Sequence, residues 1–315
     1  MRIRRWSTVS VAAVMTVALT IVLWSSGAPQ GGRVVGLGSV VPWGSADPRS
    51  PSQASPPVRG QAGPVVGGLS ASSVGVLVVD GGRHQCSASV VASQSRRLLA
   101  TAAHCVWLDG GWRVDGATFI PGYAAGEEPY GRWQVDTAYV APAWTEANSP
   151  ITDVAADVDL AFVSVLPRDG VLPEQVLGAQ GISFSTPPQV EVAALGYPAL
   201  GSYDGQSLRG CVGTGAVEAF TRPESPQPGE IRSLDCDMTQ GASGGPWLAG
   251  PEADSGRGQV VGVVSGGDDT HLVSPRFGPA AKRIYDAADT AALATTAPRP
   301  DTDPMSAQIA PRGGS

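Results

Sequence analysis

Short runs of β-branched and apolar residues recur along the middle of the chain: VGVLVVD (74–80), SASVVAS (87–93), RLLATAA (97–103), DLAFVSVL (159–166), QVEVAALG (189–196) and GQVVGVVSGG (258–267). Gly, Pro, Asp or Ser clusters bound most of them, which is the rhythm of short strands separated by turns. Many such strands predict a sandwich or barrel. One segment has a different period. In GPAAKRIYDAADTAALA (278–294), Pro279 sits at a first helical position, and Ala281, Ile284, Tyr285 and Ala288 follow at helical spacing. The pattern therefore predicts an all-β domain closed by one C-terminal α-helix, with no internal repeat.

The ends of the chain read differently. Arg2, Arg4 and Arg5 precede an apolar run from Val9 to Trp24, and small residues follow from Ser25 to Ala28. That is the layout of a secretory signal. Counted from Trp6, the run approaches the length of a spanning helix, and Pro29 would hinder a cut after Ala28, so an uncleaved anchor is the alternative. Residues 29–63 are rich in Pro, Gly and Ser and cannot bury enough apolar area to offset their ordering entropy. The expected organisation is a signal peptide or membrane anchor over 1–28 and a linker or propeptide over 29–63. A folded domain follows over 64–290, then a disordered tail over 291–315. A secreted, extracellular protein is expected, or one anchored to the membrane and facing outward; contact with a membrane requires the uncleaved segment.

Apolar residues make up 42% of the chain, enough for a sizeable core, and the net charge is −7. A chain this acidic lacks the concentrated basic surface that nucleic-acid binding needs. There are four cysteines, Cys86, Cys105, Cys211 and Cys236. An even number in an exported chain suggests disulfides. Three pairings are possible, of which the short local ones are Cys86–Cys105 and Cys211–Cys236. Zinc is disfavoured because no CxxC pair occurs. Nothing calls for a metal or an organic cofactor.

Three segments carry candidate chemistry. His104, in TAAHC (101–105), ends an apolar run where a strand would open onto a loop; alone it is as well read as a packed histidine as a base. Asp159, in DVDLAFVSVL (157–166), stands at the mouth of a strongly apolar strand. A carboxylate there is costly unless a donor meets it, and a histidine N–H would do so. Asp153 and Asp157 read as turn residues instead. Ser243 lies in CDMTQGASGGPWLAG (236–250), where glycines let backbone N–H groups converge and a substrate carbonyl approach. The N–H groups of Gly241 and Ser243 are candidates for an oxyanion hole. GASGG also fits the G-x-S-x-G elbow of α/β-hydrolases. That fold needs an acid and then a histidine after the serine, followed by a helix, whereas PWLAG reads as a strand. The order here is His104, Asp159, Ser243, which is the chymotrypsin order.

LLATAAHC, DLAFV and GASGGP together resemble the chymotrypsin-fold, trypsin-like serine peptidases, over about Val65 to Ala288. FIPGY (119–123) and CDMTQGASGGPW resemble the secreted bacterial branch akin to the glutamyl endopeptidases. The resemblance implies two antiparallel β-barrels with a site in the cleft between them. It implies His104 as general base, Asp159 as its partner, Ser243 as nucleophile, and a Cys86–Cys105 bond. The expected activity is a monomeric serine endopeptidase acting on protein or peptide substrates; the alternative is a catalytically silent binding module of the same fold. Asp237 lies where trypsin-like members place the carboxylate that binds Arg or Lys, though it could equally cap a turn. VVSGG (263–267) resembles the strand that pairs with the substrate backbone, which makes Ser265 and Gly266 candidates for substrate binding. Val264 stands where glutamyl endopeptidases carry a histidine, which disfavours glutamate specificity. His84 and His271 read as exposed loop residues. Ala242 replaces the aspartate that pairs with a new N-terminus in animal members, so VVGG (65–68) is expected to be only an early strand.

Overall fold

The computed structural model describes residues 60–147 except Val66, then 153–220 and 229–296. The predicted signal or anchor and most of the linker lie outside the described residues. Among the described residues no helix is long and apolar enough to cross a membrane.

Six antiparallel strands close the first barrel. They are β1 (Val74–Val79), β2 (His84–Val90), β3 (Leu98–Thr101), β4 (Thr118–Pro121), β5 (Trp133–Val140) and β6 (Ala161–Val165), and the barrel runs β1-β2-β3-β6-β5-β4. Their patterning explains the closure. In β1, Leu77 and Val79 join the barrel interior with Ala88, Val90, Leu99, Phe119, Trp133 and Val163, whereas Val74 and Val76 face a second cluster. In β6, Ala161, Val163 and Val165 point inward and Phe162 outward. A strand covered on both sides needs apolar residues at every position, which is why DLAFVSVL reads as a continuous run.

The second layer is built from β7 (Gln189–Gly196), β8 (Arg209–Phe220), β9 (Gly229–Asp235), β10 (Pro246–Ala249), β11 (Gln259–Val263), β12 (Gly266–Gly267) and β13 (His271–Pro275). Its order is β11-β10-β7-β8-β9-β13-β12, with Gly181–Ile182 added in parallel to β11 and Gly63–Pro64 added to β8. The all-β architecture is as expected. This layer, however, remains an open sheet ending at the two-residue β12, whose outer side borders the cleft. GQVVGVVSGG is accordingly two strands rather than one. Trp247, Val192, Val261 and Leu272 form its own core. Between the layers, Val76 and Phe162 from the barrel meet Leu195, Tyr197, Leu248 and Val260.

The C-terminal helix α1 (Pro279–Thr296) packs on the barrel's outer face, where Tyr285 meets Phe162 edge-on at 5.4 Å between centroids. Its C-terminal half is fixed by buried charge. The Asp289 carboxylate accepts the N–H groups of Gln94 (3.0 Å) and Ser95 (2.8 Å). Arg97, only 1% exposed, donates to the Ala292 carbonyl (3.1 Å) and to Asp136 (2.7 Å). The helix thus continues past 290, and residues 291–296 belong to the fold rather than to the expected tail; 297–315 lie outside the described residues.

The expected strand at VVGG is displaced. The ladder with β8 involves Gly63 and Pro64, and a helical turn begins at Gly68. Val65 still donates its amide to the Leu208 carbonyl at 3.1 Å. Residues 60–63, assigned by sequence to the linker, are therefore part of the second sheet's edge, and Gly60 bridges to Cys236.

Replacing Asp289 by alanine leaves the buried Ser95 amide without its acceptor, a loss of about 1–3 kcal/mol, and frees the Gln94 amide to water. A drop in the thermal midpoint of Asp289→Ala, with activity per folded molecule unchanged, is the expected outcome in calorimetry alongside a kinetic assay.

Candidate active site

His104 lies in the short helical turn Ala103–Val106 that follows β3. It is 7% exposed, and Asp159 is fully buried. The Asp159 carboxylate accepts three hydrogen bonds: from the His104 backbone N–H (2.9 Å), from the His104 ring at Nδ1 (2.7 Å), and from Ser265 Oγ (2.6 Å). A carboxylate can only accept, so Nδ1 carries the proton in this arrangement and Nε2 is left as the acceptor. Three charge-assisted bonds offset the cost of burying the charge.

Cys105 is bonded to Cys86, with Cα atoms 6.2 Å apart, which fastens the histidine turn to β2. The second pair is Cys211–Cys236. Both are the short local pairings. The Cys86–Cys105–His104 cluster of potential metal ligands arises from this disulfide, whose sulfurs are not available to a metal.

The loop bearing Ser243 is held against the first barrel. Ser87 alternates with the inward-facing Ala88 of β2 and points the opposite way, toward this loop. Its N–H donates to the Ser243 carbonyl (2.7 Å), its Oγ donates to the Gly241 carbonyl (2.8 Å), and that same Oγ accepts the Tyr197 N–H (2.9 Å). Cys105 Sγ lies 3.8 Å from the Ser243 carbonyl, so the serine and the histidine turn are adjacent. Among the described residues no hydrogen bond joins Ser243 Oγ to the His104 ring; their proximity is set through the backbone. Such contacts are often loose without substrate. Gly241 has φ +98°, and a Cβ there would come within 2.5 Å of the Tyr197 carbonyl oxygen, so only glycine fits. Among the described residues the N–H groups of Gly241 and Ser243 have no hydrogen-bond acceptor, whereas those of Ala242, Gly244 and Gly245 are bonded within the protein. Two free amides thus flank the serine. Ala242 is buried, in keeping with a loop that depends on no ion pair at that position.

A cavity of about 540 Å³ opens beside Ser243. Ser265 and Gly266, the sequence's candidates for substrate binding, line it, and the Ser265 hydroxyl is turned to Asp159. Asp237 is not among the lining residues. Its Oδ1 accepts the Ala62 N–H (2.8 Å) and the Tyr203 hydroxyl (2.7 Å). Burial, followed by this bond to a carboxylate, pushes the Tyr203 hydroxyl up to about 12. Asp237, expected from the sequence as a substrate ligand, here ties down the edge segment at Ala62 through Oδ1. His84 and His271 are exposed, as expected, but they begin β2 and β13 rather than lying in loops.

The sequence model of the trypsin-like peptidase domain matches residues 86–263. The chain belongs to the trypsin-like peptidase family. It is similar to the crystal structure of the protease Anisep from Arthrobacter nicotinovorans, with 27% identity, a TM-score of 0.59, and coverage of 70% of this chain and 96% of that one. It is also similar to the thermostable serine protease AL20 from an extremophilic microorganism, with 28% identity, a TM-score of 0.61, and coverage of 70% and 99%. A Glu endopeptidase in complex with MPD shares the fold at 18% identity and a TM-score of 0.55, over 73% of this chain and 96% of that one. No curated protein matches. This trypsin-like peptidase is a serine endopeptidase, and its substrates are proteins.

Ser87 and the inward turn of Ser265 were not anticipated from the peptidase's sequence. A serine at an outward position of an otherwise buried strand, as in CSASVV, was the available signal. Ser87→Ala removes the acceptor for Tyr197 N–H and the donor to Gly241. A fall in kcat/KM of about tenfold or more is expected, equivalent to ~1.4 kcal/mol of transition-state stabilisation, read from steady-state kinetics.

Proposed function

We propose that Ser243 is the nucleophile, His104 the general base and Asp159 the group that orients and stabilises the imidazole. The observation that carries this reading is the buried Asp159 carboxylate bonded at 2.7 Å to His104 Nδ1, which leaves Nε2 able to accept a proton. Ser243 Oγ attacks the scissile carbonyl carbon and His104 takes the hydroxyl proton. The carbonyl oxygen becomes an oxyanion, which the N–H groups of Gly241 and Ser243 receive. Collapse breaks the C–N bond, and the same proton passes to the leaving amine. Water then repeats the sequence on the acyl-enzyme, giving its proton to His104 and releasing the acid, with Ser243 reprotonated. Ser265 is a positioning residue that acts through Asp159. Gly266 and Gly267 offer an open strand edge to which a substrate backbone can add.

The enzyme acts outside the cytoplasm. Support for this comes from its two disulfides and its charged-then-apolar N-terminus.

A fluorophosphonate probe is expected to label the wild-type protein covalently and to leave Ser243→Ala unlabelled. Loss of the hydroxyl should lower kcat by a factor on the order of 10⁵–10⁶ without loss of the fold. A chelator should leave the rate unchanged. Failure of a well-folded wild type to react would favour a binding module over this mechanism.

A further inference from the structure

The cavity beside Ser243 has a polar mouth and an apolar floor. Asp268 and Asp269 stand at the mouth, both exposed. Met238, Val264 and Leu272 line the interior, each only 2% exposed. They come from three segments: the loop before Ser243, the turn after β11, and β13. The register brings Leu272 opposite Gly267, and the strands pack so closely there that a Cβ on Gly267 would lie 3.0 Å from the Leu272 Cα. Gly266, by contrast, has open space where its side chain would be. An occupant therefore enters past Gly266 and ends against Leu272 and Met238.

Among the described residues no charged group lines that floor. Asp237, the neighbour of Met238, is not part of the lining and turns its Oδ1 to the Ala62 amide and the Tyr203 hydroxyl. The His271 ring is engaged outside, with the Thr270 hydroxyl at 2.7 Å and Asp235 at 3.3 Å. Asp268 is held down to about 2, first by the Thr270 N–H and then by the Thr270 hydroxyl and the His271 N–H, so it stays negative. It does so in water, where an ion pair with a substrate is worth little. A lysine, arginine or glutamate side chain carried to the floor would lose its hydration with no partner. Met238 and Leu272 form the inner end of the cavity.

From this geometry we infer that the peptidase selects an apolar side chain immediately before the scissile bond, and that Met238 and Leu272 set this preference. The inference rests on Ser243 being the nucleophile. It gives the apolar floor a task and accounts for the diversion of Asp237.

The test uses the purified protein and peptide anilides that differ only in the residue before the cleaved bond. The kcat/KM values for valine, leucine and phenylalanine are expected to exceed those for arginine, lysine and glutamate by about 100-fold or more. Leu272→Ala should raise the phenylalanine-to-valine ratio about tenfold. Met238→Ala, in a loop rather than a strand, gives the same readout should the first variant misfold. Asp237→Asn should leave the arginine-to-valine ratio unchanged. A preference for arginine, lysine or glutamate over these apolar residues, in a protein whose Ser243 reacts with the fluorophosphonate, would overturn this inference alone. A protein that neither reacts nor cleaves would overturn the nucleophile assignment and this inference together.

Discussion

A single buried carboxylate organises the centre of this protein. Asp159 has no contact with solvent, and three donors from two regions of the chain converge on it: the backbone and ring of His104, and the hydroxyl of Ser265. Losing any of them would leave charge in a dry interior with an acceptor unfilled, so the carboxylate constrains its surroundings as much as they constrain it. His104 belongs to the barrel and Ser265 to the open sheet. The two layers are therefore joined at the point where an imidazole must be aimed.

Ser87 makes the complementary link. It sits on a barrel strand and holds two carbonyls of the loop from Gly241 to Ser243, and it also receives an amide from Tyr197. Ser87 thus pins the site with a side chain whose backbone lies in a regular strand. Such supports are stiffer than loops, and positional error at reacting atoms costs rate steeply. The glycines of the loop are the other half of this arrangement. At Gly241 the approach of the Tyr197 carbonyl leaves no room for a side chain, and the same closeness turns an amide toward the cleft.

Much of this was legible beforehand, and the reasons are physical. Strands buried on both faces write unbroken apolar runs, so β1, β6 and β7 announced themselves. The helix carried its own period and its proline start. The carboxylate beside DLAFV was identifiable because burial of a charge demands a partner. What escaped was written in weaker terms. The long strands β8 and β9 carry glycines, the buried Arg232 and the exposed Glu218 and Glu230, and their pairing depends on neighbours that no local pattern encodes. The end of α1 was placed too early because small residues such as Ala292 look like tail, although Arg97 grips its carbonyl from far away in the chain. Asp237 was read by its distance from Ser243. Its orientation is decided by Ala62 and Tyr203, and sequence spacing is silent on where a side chain turns.

The bond between Cys86 and Cys105 adjoins the proposed base, and one of its sulfurs lies against the carbonyl of the proposed nucleophile. Thiol oxidation and assembly of the reactive pair are consequently one structural event. A chain still reduced would keep its barrel residues but lack the strut between the imidazole turn and its neighbouring strand, so the chemistry would be withheld until the surroundings turned oxidising. The electron balance of the compartment would then act as the enzyme's safety catch, in place of a proteolytic cut.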